Sequence, residues 1–537
     1  MTQSSAGKLW NYLRLGAAAA LAACALGLAA PSVAIAQAPE AAQAGAAPLA
    51  NVAPLTAEAA PAATELASAE PAPAEPTPAQ APAIAAPEAT VDKADTAWML
   101  VSTALVFLMI IPGLALFYGG LVRTKNMLSV LMQVSTVTAI GMILWALVGY
   151  SLAFTDGGAL DSFIGGSSRF FLADAGTDLS DNNAATFSTG VYIPELAFVV
   201  FQMTFACITA ALVLGALAER VKFAGVVLFA IAWPLLVYYP MAHMVWWWPG
   251  PDAVAANPDD PIRSGLIWGF GALDFAGGTV VHINSGIAAL VGCLILGRRS
   301  SYRREPIPPH SLTMTLIGAG LLWFGWMGFN AGSNLESNYY AVLAMANTFF
   351  ATAAAAFSWT LCEWAFKKRA SLLGFASGAV AGLVAITPAA GFAGPMGALL
   401  LGAIVSPVCL FFVSTVKNRL GYDDSLDVFG IHGIGGIIGA LGTAFVVNPA
   451  WGGAGVVDYV HCSEAGVVLA TCPVASYDLM TQLTSQARAV GVTIAWSGVG
   501  SLLIFGALRV IGLLRVSRET EEEGLDIAEH GEAAYHP

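Results

Sequence analysis

The stretch GALDFAGGTVVHINSGIAALVGCLIL occupies residues 271–296 and predicts a helix that crosses a membrane. From Gly278 onward it is a run of apolar and small residues, close to the length of about 20 residues that spans a bilayer as a helix. The run contains one ionisable side chain, His282, and a carboxylate, Asp274, precedes it. Ionisable residues inside a spanning helix are costly and are functional by default. We therefore single out His282 as a candidate functional residue.

A related arrangement occurs once more, nearer the C-terminus. The stretch LDVFG (426–430) precedes His432, as LDFAG (273–277) precedes His282. Because five predicted spans lie between the two points, the two segments cross the membrane in opposite directions. Inverted repeats have this property, and they place the transport site at the repeat interface near the midplane. A lone buried histidine is usually a satisfied core residue, but two in matching places indicate function.

The whole chain has the composition of a membrane protein. Of its 537 residues, 57% are hydrophobic and only 11% are charged, and the mean hydropathy is +0.71. A soluble protein carries about 25% charged residues, so lipid must be the solvent for most of this chain. The net charge of -13 does not indicate a cationic partner, and we expect no nucleic acid, because the acidic residues lie mainly in the N-terminal stretch, the outer loops and the tail.

The sequence predicts an all-α polytopic membrane protein with eleven transmembrane helices. Loops after the odd-numbered spans carry 13 Lys and Arg residues, whereas loops after the even-numbered spans carry three. The positive-inside rule then places the mature N-terminus in the periplasm and the C-terminus in the cytoplasm. The predicted spans are 97–119, 127–153, 195–218, 223–245, 278–297, 312–331, 338–366, 371–388, 392–416, 430–447 and 489–514.

Both ends of the chain lie outside this membrane domain, which we place at residues 96–514. Residues 1–36 have the pattern of a secretory signal, with an Ala-Ile-Ala cleavage site at 34–36, and an uncleaved anchor is the alternative. Residues 37–95 are rich in Ala and Pro and predict an extended periplasmic linker. Residues 515–537 form a cytoplasmic tail, and their composition alone predicts a solvated, frayed end.

The seven cysteines do not indicate a metal site. The sequence has no CxxC motif and no cluster of His and Cys, so we expect no metal and no other cofactor. Cys462 and Cys472 share the loop before the last span and are either two free thiols or a periplasmic disulfide. The sequence also lacks a nucleophile motif, so we do not expect an enzyme.

The histidine pair suits a small, neutral, hydrogen-bonding solute. A neutral imidazole donates from one nitrogen and accepts at the other, so two facing rings can share one proton. An isolated ion is severely penalised in such surroundings. At the outer end of the fourth span, the run Trp246-Trp247-Trp248 is either an interfacial aromatic belt or, with Asp274, a cation site. For the nearby His243 we favour a structural role.

Several long motifs are similar to those of the ammonium transporter family of the Amt and Rh type. In the expected order they are IPGLALFYGGL (111–121), FACIT (205–209), GALAER (215–220), GALDFAGGTVVH (271–282), GFNAGS (328–333) and DVFGIHG (427–433). The resemblance covers residues 97–537 and is to the bacterial Amt form. It implies an inner-membrane protein with an inverted five-plus-five repeat around one pore per subunit, a last peripheral helix, and a homotrimer.

The resemblance also implies roles for individual residues. An external ammonium vestibule would be formed by Trp246, Phe205, Ser333, Phe201 and Asp274, with Asp274 supporting the backbone instead of touching the ion. Phe205 and Phe329 would form a phenyl gate. His282 and His432 would line the pore, together with Thr387. One departure is Trp247-Trp248-Pro249, where the family tends to have glycine, so any of the three indoles could face the ion.

The resemblance implies partners as well: ammonium or ammonia, with methylammonium as an analogue, the lipid bilayer, other copies of the chain, and a PII-type regulatory protein at the cytoplasmic face. The tail stretch 524–535 resembles the ordered tail of family members, and we expect it to dock opposite Arg298, Arg299, Arg303 and Arg304. Three alternatives remain open. They are a redox protein with a haem between the two histidines, an ammonium sensor with little net flux, and a channel for a neutral solute.

Overall fold

The computed structural model describes residues 90–175, 182–256, 261–459 and 474–535. The predictions for the signal sequence, for most of the linker, and for Cys462 and Cys472 fall outside these ranges. Within them, eleven helices are long and apolar enough to cross a membrane, which confirms the eleven predicted spans. They are α1 (Lys93–Leu121), α2 (Thr124–Phe154), α3 (Glu195–Leu217), α4 (Phe223–Trp246), α5 (Gly278–Leu296), α6 (Leu312–Gly332), α7 (Tyr339–Lys367), α8 (Leu372–Ala389), α9 (Pro395–Leu420), α10 (Phe429–Val446) and α11 (Leu479–Val510).

The largest boundary error concerns α11, which begins at Leu479 instead of residue 489 and ends at Val510 instead of 514. Its first turns contain polar side chains, and hydropathy therefore excluded them. In the structure three of them, Gln482, Ser485 and Gln486, are buried and bonded to the chain before α5. Gln486 accepts a hydrogen bond from the N–H of Leu273 at 2.6 Å and donates to the carbonyl of Leu273 at 2.9 Å. Hydrogen bonding thus replaces apolar contact along this end of the helix.

Each of the two histidine-bearing helices starts with a widened, π-helical turn that contains the histidine. The turns are Gly278–Ile283 in α5 and Phe429–Gly433 in α10. A carboxylate lies eight residues before each histidine and accepts hydrogen bonds from the first backbone N–H groups of the helix. Such groups have no partner inside the helix itself, so a capping acceptor is required.

The carboxylate that matches Asp274 is Asp424, not Asp427 as the sequence comparison suggested. Asp424 accepts from the N–H groups of Val428 and Phe429 at 3.0 and 2.8 Å. Asp427 instead has a positive φ of 62° and pairs with Lys417. Matching LDFAG to LDVFG therefore aligned Asp274 with a residue three positions after its true counterpart. The cap positions, which depend on backbone geometry, give the correct alignment.

Helices α5 and α10 run in opposite directions and touch at two glycines. The Asp274 end of α5 lies beside Trp246 at the end of α4, and we call this side the vestibule face. Asp423, just before α10, contacts Arg299, just after α5, and we call this opposite side the tail face. A Cβ atom added to Gly286 would lie 2.3 Å from the backbone nitrogen of Gly433. The backbones of α5 and α10 are therefore in direct contact here, with no room for a side chain between them.

A small sheet covers the vestibule face. Its order is β1 (Thr90–Val91), β3 (Val191–Pro194) and β2 (Asn183–Ala185), with β1 parallel and β2 antiparallel to β3. A short helix at Pro251–Ala256 is attached to it, because Asp252 accepts from the N–H of Gly190 and the hydroxyl of Tyr192. Strands of two to four residues leave no detectable period in the sequence, and the sheet was not predicted.

The tail is ordered and packs on the tail face, as the family resemblance implied and as composition alone did not. It contains two short helices, α12 (Arg518–Glu523) and α13 (Leu525–His530). The buried Asp526 accepts from the N–H groups of Leu128 and Ser129 at 3.0 and 2.8 Å. Leu525 donates its own N–H to Asn126. The tail therefore supplies a cap to the start of α2.

The acidic residues of the tail do not dock on the four arginines that we expected. Arg299 is bonded to Asp423 and Glu219 instead, and Arg298 donates to the carbonyl of Gly421. The buried Glu521 is bonded to Arg515 and to the N–H of Ser300. Docking therefore relies on acceptors for backbone N–H groups, because Arg298 and Arg299 already have carbonyl and carboxylate partners and the ion pair of Glu521 with Arg515 lies within the tail.

We expect replacement of Asp526 by Ala to loosen the tail. The change leaves two N–H groups at the start of α2 without an acceptor, and loss of such a cap costs about 1 kcal/mol. Trypsin cleavage after Arg518 in the purified protein should become faster. Glu532→Ala, at an exposed position of the same tail, is the control. Equal cleavage rates in the two variants would contradict this role of Asp526.

We also expect Gly286→Ala to lower the thermal stability of the purified protein. The added methyl group meets the backbone of Gly433, which cannot move without shifting α10, and overpacking of this kind costs about 1–3 kcal/mol. Gly491→Ala on α11 is the matched control, because no atom lies within 4 Å of the added carbon and Ala is the better helix former. The melting temperature should fall for Gly286→Ala alone.

Candidate functional site

A cavity of about 410 Å³ lies at the vestibule face, among the start of α3, the end of α4 and the segment before α5. Twelve of the 30 described residues that line it carry aromatic rings. Among the described residues that line it, two are acidic, Glu195 and Asp274, and none is Lys or Arg. Aromatic faces attract small cations. The two carboxylates add a negative electrostatic potential, which also attracts cations. The cavity therefore favours a cation.

The structure distinguishes the three consecutive tryptophans. Trp246 donates from its indole nitrogen to the carbonyl of Asp274 at 2.9 Å, and its ring meets Phe205 edge-on at 5.9 Å. Trp247 stacks on His243, and Trp248 stacks on Trp268. All three line the cavity, but of the three only Trp246 also contacts Phe205, one of the phenylalanine rings below it. Trp246 is thus the indole that joins Asp274 to those rings.

His243 has the structural environment that we favoured. It is fully buried, and its two ring nitrogens lie 3.0 Å from the carbonyl of Ala153 and 2.7 Å from that of Asp161. It therefore connects the end of α2 and the following loop to α4, three residues before Trp246.

The floor of the cavity is closed by phenylalanine rings. Phe205 and Phe329 stack with their centroids 4.2 Å apart and an angle of 23° between the ring planes, and Phe201 lies 5.0 Å from Phe205. All three side chains are fully buried. Ser333 lies at the edge of the floor and donates its hydroxyl hydrogen to the carbonyl of Phe329 at 2.8 Å. Its oxygen keeps lone pairs that can accept a hydrogen bond in the cavity.

The two histidines meet directly beneath this floor. Nδ1 of His282 and Nδ1 of His432 are 3.2 Å apart, and the ring of Phe329 lies 6.1 Å from that of His282. One Nδ1 must carry a hydrogen and the other must accept it. The pair then presents one Nε2 lone pair and one Nε2–H. Direct contact of the two rings leaves no space for a haem plane between them, which argues against the redox alternative.

A narrow apolar tract runs beside the pair. Its cavity volume is about 10 Å³, which is close to the minimum needed to hold one water molecule. His282 and His432 supply its only polar side chains apart from Trp326, among the described residues that line it. His282 Nε2 has no hydrogen-bond partner within the described parts of the chain. The tract can therefore hold one small molecule, with an imidazole as its main hydrogen-bonding partner.

Thr387 lies next to the tract, behind one of the residues that line it. Its hydroxyl accepts from the indole nitrogen of Trp326 at 2.9 Å and donates to the carbonyl of Leu383 at 2.7 Å. Trp326 in turn stacks on His282 at 5.4 Å and lines the tract. Thr387 thus orients Trp326 and does not itself line the tract. Sequence reasoning missed Trp326, because a tryptophan inside an apolar helix gives no signal apart from packing.

Asp274 is buried, and its oxygens are fully occupied by the protein. It accepts from the N–H groups of Gly277, Gly278, Thr279 and Val280 at 2.5–3.2 Å, and from the hydroxyl of Thr279. Burial raises the pKa of Asp274 above its usual value, and these hydrogen bonds oppose that rise. Asp274 therefore fixes the first turn of α5 through its side-chain carboxylate. It also holds Trp246, through its backbone carbonyl.

An inverted helical repeat with a cation-favouring vestibule, a closed phenyl floor and a buried histidine pair defines a membrane transport protein. The sequence model of the Ammonium Transporter Family matches residues 97–535. The chain is 44% identical to the ammonium transporter of Aquifex aeolicus over 450 residues, which cover 84% of this chain and 95% of that protein. The chain therefore belongs to the ammonium transporter family.

Two further comparisons agree. Identity with the ammonium transporter of Bacillus subtilis is 41% over 441 residues, or 82% of this chain and 98% of that protein. The fold is similar to a solved structure titled Sensor Amt Protein, with a TM-score of 0.68, 27% identity, and coverage of 81% of this chain and 98% of that one. It is also similar to Saccharomyces cerevisiae Mep2, with a TM-score of 0.66, 31% identity, and coverage of 80% and 91%.

We expect Asp274→Ala to reduce methylammonium uptake severalfold more than Asp274→Glu does. Alanine leaves four adjacent N–H groups without an acceptor and releases the backbone that holds Trp246, whereas glutamate keeps a carboxylate nearby. Uptake is measured at equal protein abundance in the membrane. Asp156→Ala, an exposed carboxylate on the same face, controls for loss of charge. Normal uptake in both Asp274 variants would remove this residue from the site.

Proposed function

We propose that the chain recruits ammonium as a cation at the vestibule face, removes its proton near the phenyl floor, and conducts NH3 along the histidine-lined tract. The observation that carries this proposal is the abrupt change between the two compartments. The vestibule is aromatic and acidic and has a volume of about 410 Å³. The tract below Phe205 and Phe329 is apolar and holds a molecule of the size of one water.

Two free energies favour loss of the proton at this boundary. Aqueous ammonium has a pKa of about 9, so its deprotonation at neutral pH costs roughly 3 kcal/mol. Burial of the bare ion in the tract costs several kcal/mol even after relaxation of the protein. Deprotonation is therefore the less costly route past the floor. Ammonia itself needs only hydrogen-bonding partners of the kind that a neutral histidine pair provides.

The histidine pair offers ammonia both kinds of contact. Because the two Nδ1 atoms share one hydrogen, one Nε2 accepts a hydrogen bond and the other donates one. Reversal of the tautomers exchanges these roles without moving either ring. A proton released in the vestibule either returns outside or follows separately, and only the second route makes transport electrogenic. Electrical recording on reconstituted protein during ammonium pulses, with potassium as the control ion, separates the two.

The orientation and partners follow from the family and from the distribution of charge. The loops after the odd-numbered helices, which carry most of the Lys and Arg residues, are on the tail face, so this face would be cytoplasmic in a bacterial inner membrane. A homotrimer and a PII-type regulatory protein docking on the tail face belong to the same proposal. The ordered tail supports the idea of a docking platform, because Asp526 fixes it to the start of α2 and Glu521 fixes it to the loop after α5.

A sensor with little net flux is the second candidate function, favoured by the structural similarity to the protein titled Sensor Amt Protein. Such a protein would use the same vestibule to bind ammonium. The two functions differ in one measurement, because deletion of a sensor leaves uptake of labelled methylammonium unchanged. A channel for water, the remaining alternative, would not discriminate against potassium.

We expect His282→Ala to abolish ammonium-driven flux or to admit potassium. His432 alone cannot supply both an accepting and a donating Nε2, and the cavity left by removal of the His282 ring would hold water. The measurement is ammonium and potassium current in proteoliposomes. Cys293→Ala, a buried change later in the same helix, is the matched control. Flux and selectivity equal to those of the unaltered protein in His282→Ala would refute the proposed pathway.

A further inference from the structure

The outer part of the vestibule contains a carboxylate with one unused oxygen. Glu195 begins α3 and is 7% exposed. Its Oε1 accepts from the hydroxyl of Tyr150 at 2.8 Å and from Nε of Arg169 at 3.0 Å. Its Oε2 is buried and has no hydrogen-bond partner among the described residues. An ionised carboxylate has about four acceptor positions, so half of this group is unsatisfied.

One of the two partners of Glu195 lies outside the cavity lining. Tyr150 lines the cavity together with Glu195, whereas Arg169 does not. Arg169 is also shared, because its guanidinium lies 3.8 Å from Asp174, whose side chain is 75% exposed. Two carboxylates thus face one guanidinium, so Arg169 does not fully neutralise Glu195.

Two other residues that line the same cavity also carry unused oxygens. The side-chain oxygens of Gln202 and Asn183 are buried and have no hydrogen-bond partner among the residues that the structure describes. Gln202 lies seven residues after Glu195 and three before Phe205, which places all three on one face of α3. With a rise of 1.5 Å per residue, Glu195 lies about 15 Å from Phe205 along the helix axis, and Gln202 about 4.5 Å. Acceptors thus continue from the rim of the vestibule to its floor.

We propose that Glu195 forms an outer cation site, which takes ammonium before it reaches the aromatic site beside Trp246, with Gln202 as the next acceptor. Ammonium carries four N–H donors and a unit charge, and Oε2 of Glu195 needs a donor. The cavity volume far exceeds the 10–15 Å³ or so that one water requires, so the ion enters with much of its hydration. The inference rests on the proposed function, since it adds an earlier step to the same pathway.

The outer site acts on recruitment and not on the crossing of the floor. Its occupancy raises the local concentration of ammonium near Phe205, whereas the slow step lies in the dry tract below. A change at Glu195 should therefore alter the concentration at which transport is half-maximal and leave the maximal rate unchanged. A purely structural role for the Glu195–Arg169 pair would instead lower the amount of folded protein or the maximal rate.

The experiment compares three variants of the full chain in methylammonium uptake. Glu195→Gln keeps the shape and a partner for Tyr150 but removes the charge. Glu195→Asp keeps the charge and withdraws the oxygen by one methylene. Asp174→Asn is the matched control, because it removes a charge from the other side of Arg169, outside the cavity. We expect KM to rise about 3- to 10-fold in Glu195→Gln, the range for loss of one ordinary hydrogen bond by an ion that keeps much of its hydration. The rise should be smaller in Glu195→Asp and absent in Asp174→Asn.

The outcomes separate the alternatives. A raised KM with an unchanged maximal rate supports the outer site, and an unchanged KM in Glu195→Gln overturns it, as does an equal rise in Asp174→Asn. Where Glu195→Gln does not reach the membrane, Glu195→Asp decides by the same criterion. Failure of the proposed function is distinct, because the unaltered protein would then show no methylammonium flux. Quenching of vestibule tryptophan fluorescence by ammonium would still test binding at Glu195.

Discussion

The structure depends on a single contact, the hydrogen bond between Nδ1 of His282 and Nδ1 of His432 at 3.2 Å. This bond forms only when two helices of opposite direction bring their first turns to the same depth. Three features ensure that they do. Asp274 and Asp424 cap the two helices at the same distance from their histidines, and Gly286 lets the backbones touch at Gly433. Each of these features satisfies backbone groups or removes a side chain, so the pair is set by main-chain geometry.

Hydropathy was sufficient to predict the eleven spans, because a helix that crosses lipid needs about 20 mostly apolar residues and every span has such a run. It failed where polar side chains take over the role of apolar ones, as at Gln486 in α11. The sequence identified the two histidines because ionisable groups inside spans are rare. It gave the wrong register for the repeat, because Asp424 and Asp427 are the same residue type. Only the structure shows that Asp424 caps α10 and that Asp427 pairs with Lys417.

The site was less predictable than the fold, for a related reason. Motif resemblance named Phe205, Phe329 and Trp246, and the structure brings them together. Trp326 and Glu195 carried no signal in the sequence. A tryptophan in an apolar helix and a glutamate at a helix start are ordinary in isolation. Only the structure shows that Trp326 stacks on His282 and that Glu195 has one oxygen without a described partner.

The tail face fixes the other end of the histidine helices. Arg299, just after α5, is bonded to Asp423, just before α10. Although burial alone would raise it, Arg220 and Arg299 lower the pKa of Asp423 to about 2, so this link is ionised at neutral pH. The next N–H along the chain, that of Ser300, is taken by Glu521 of the tail. Displacement of the tail would leave Ser300 unpaired beside the junction that starts α10. The position of the tail and the depth of His432 are therefore connected through a short series of hydrogen bonds. The vestibule end of α5 is held separately, by Asp274 at its first turn and by Gln486 of α11 at Leu273.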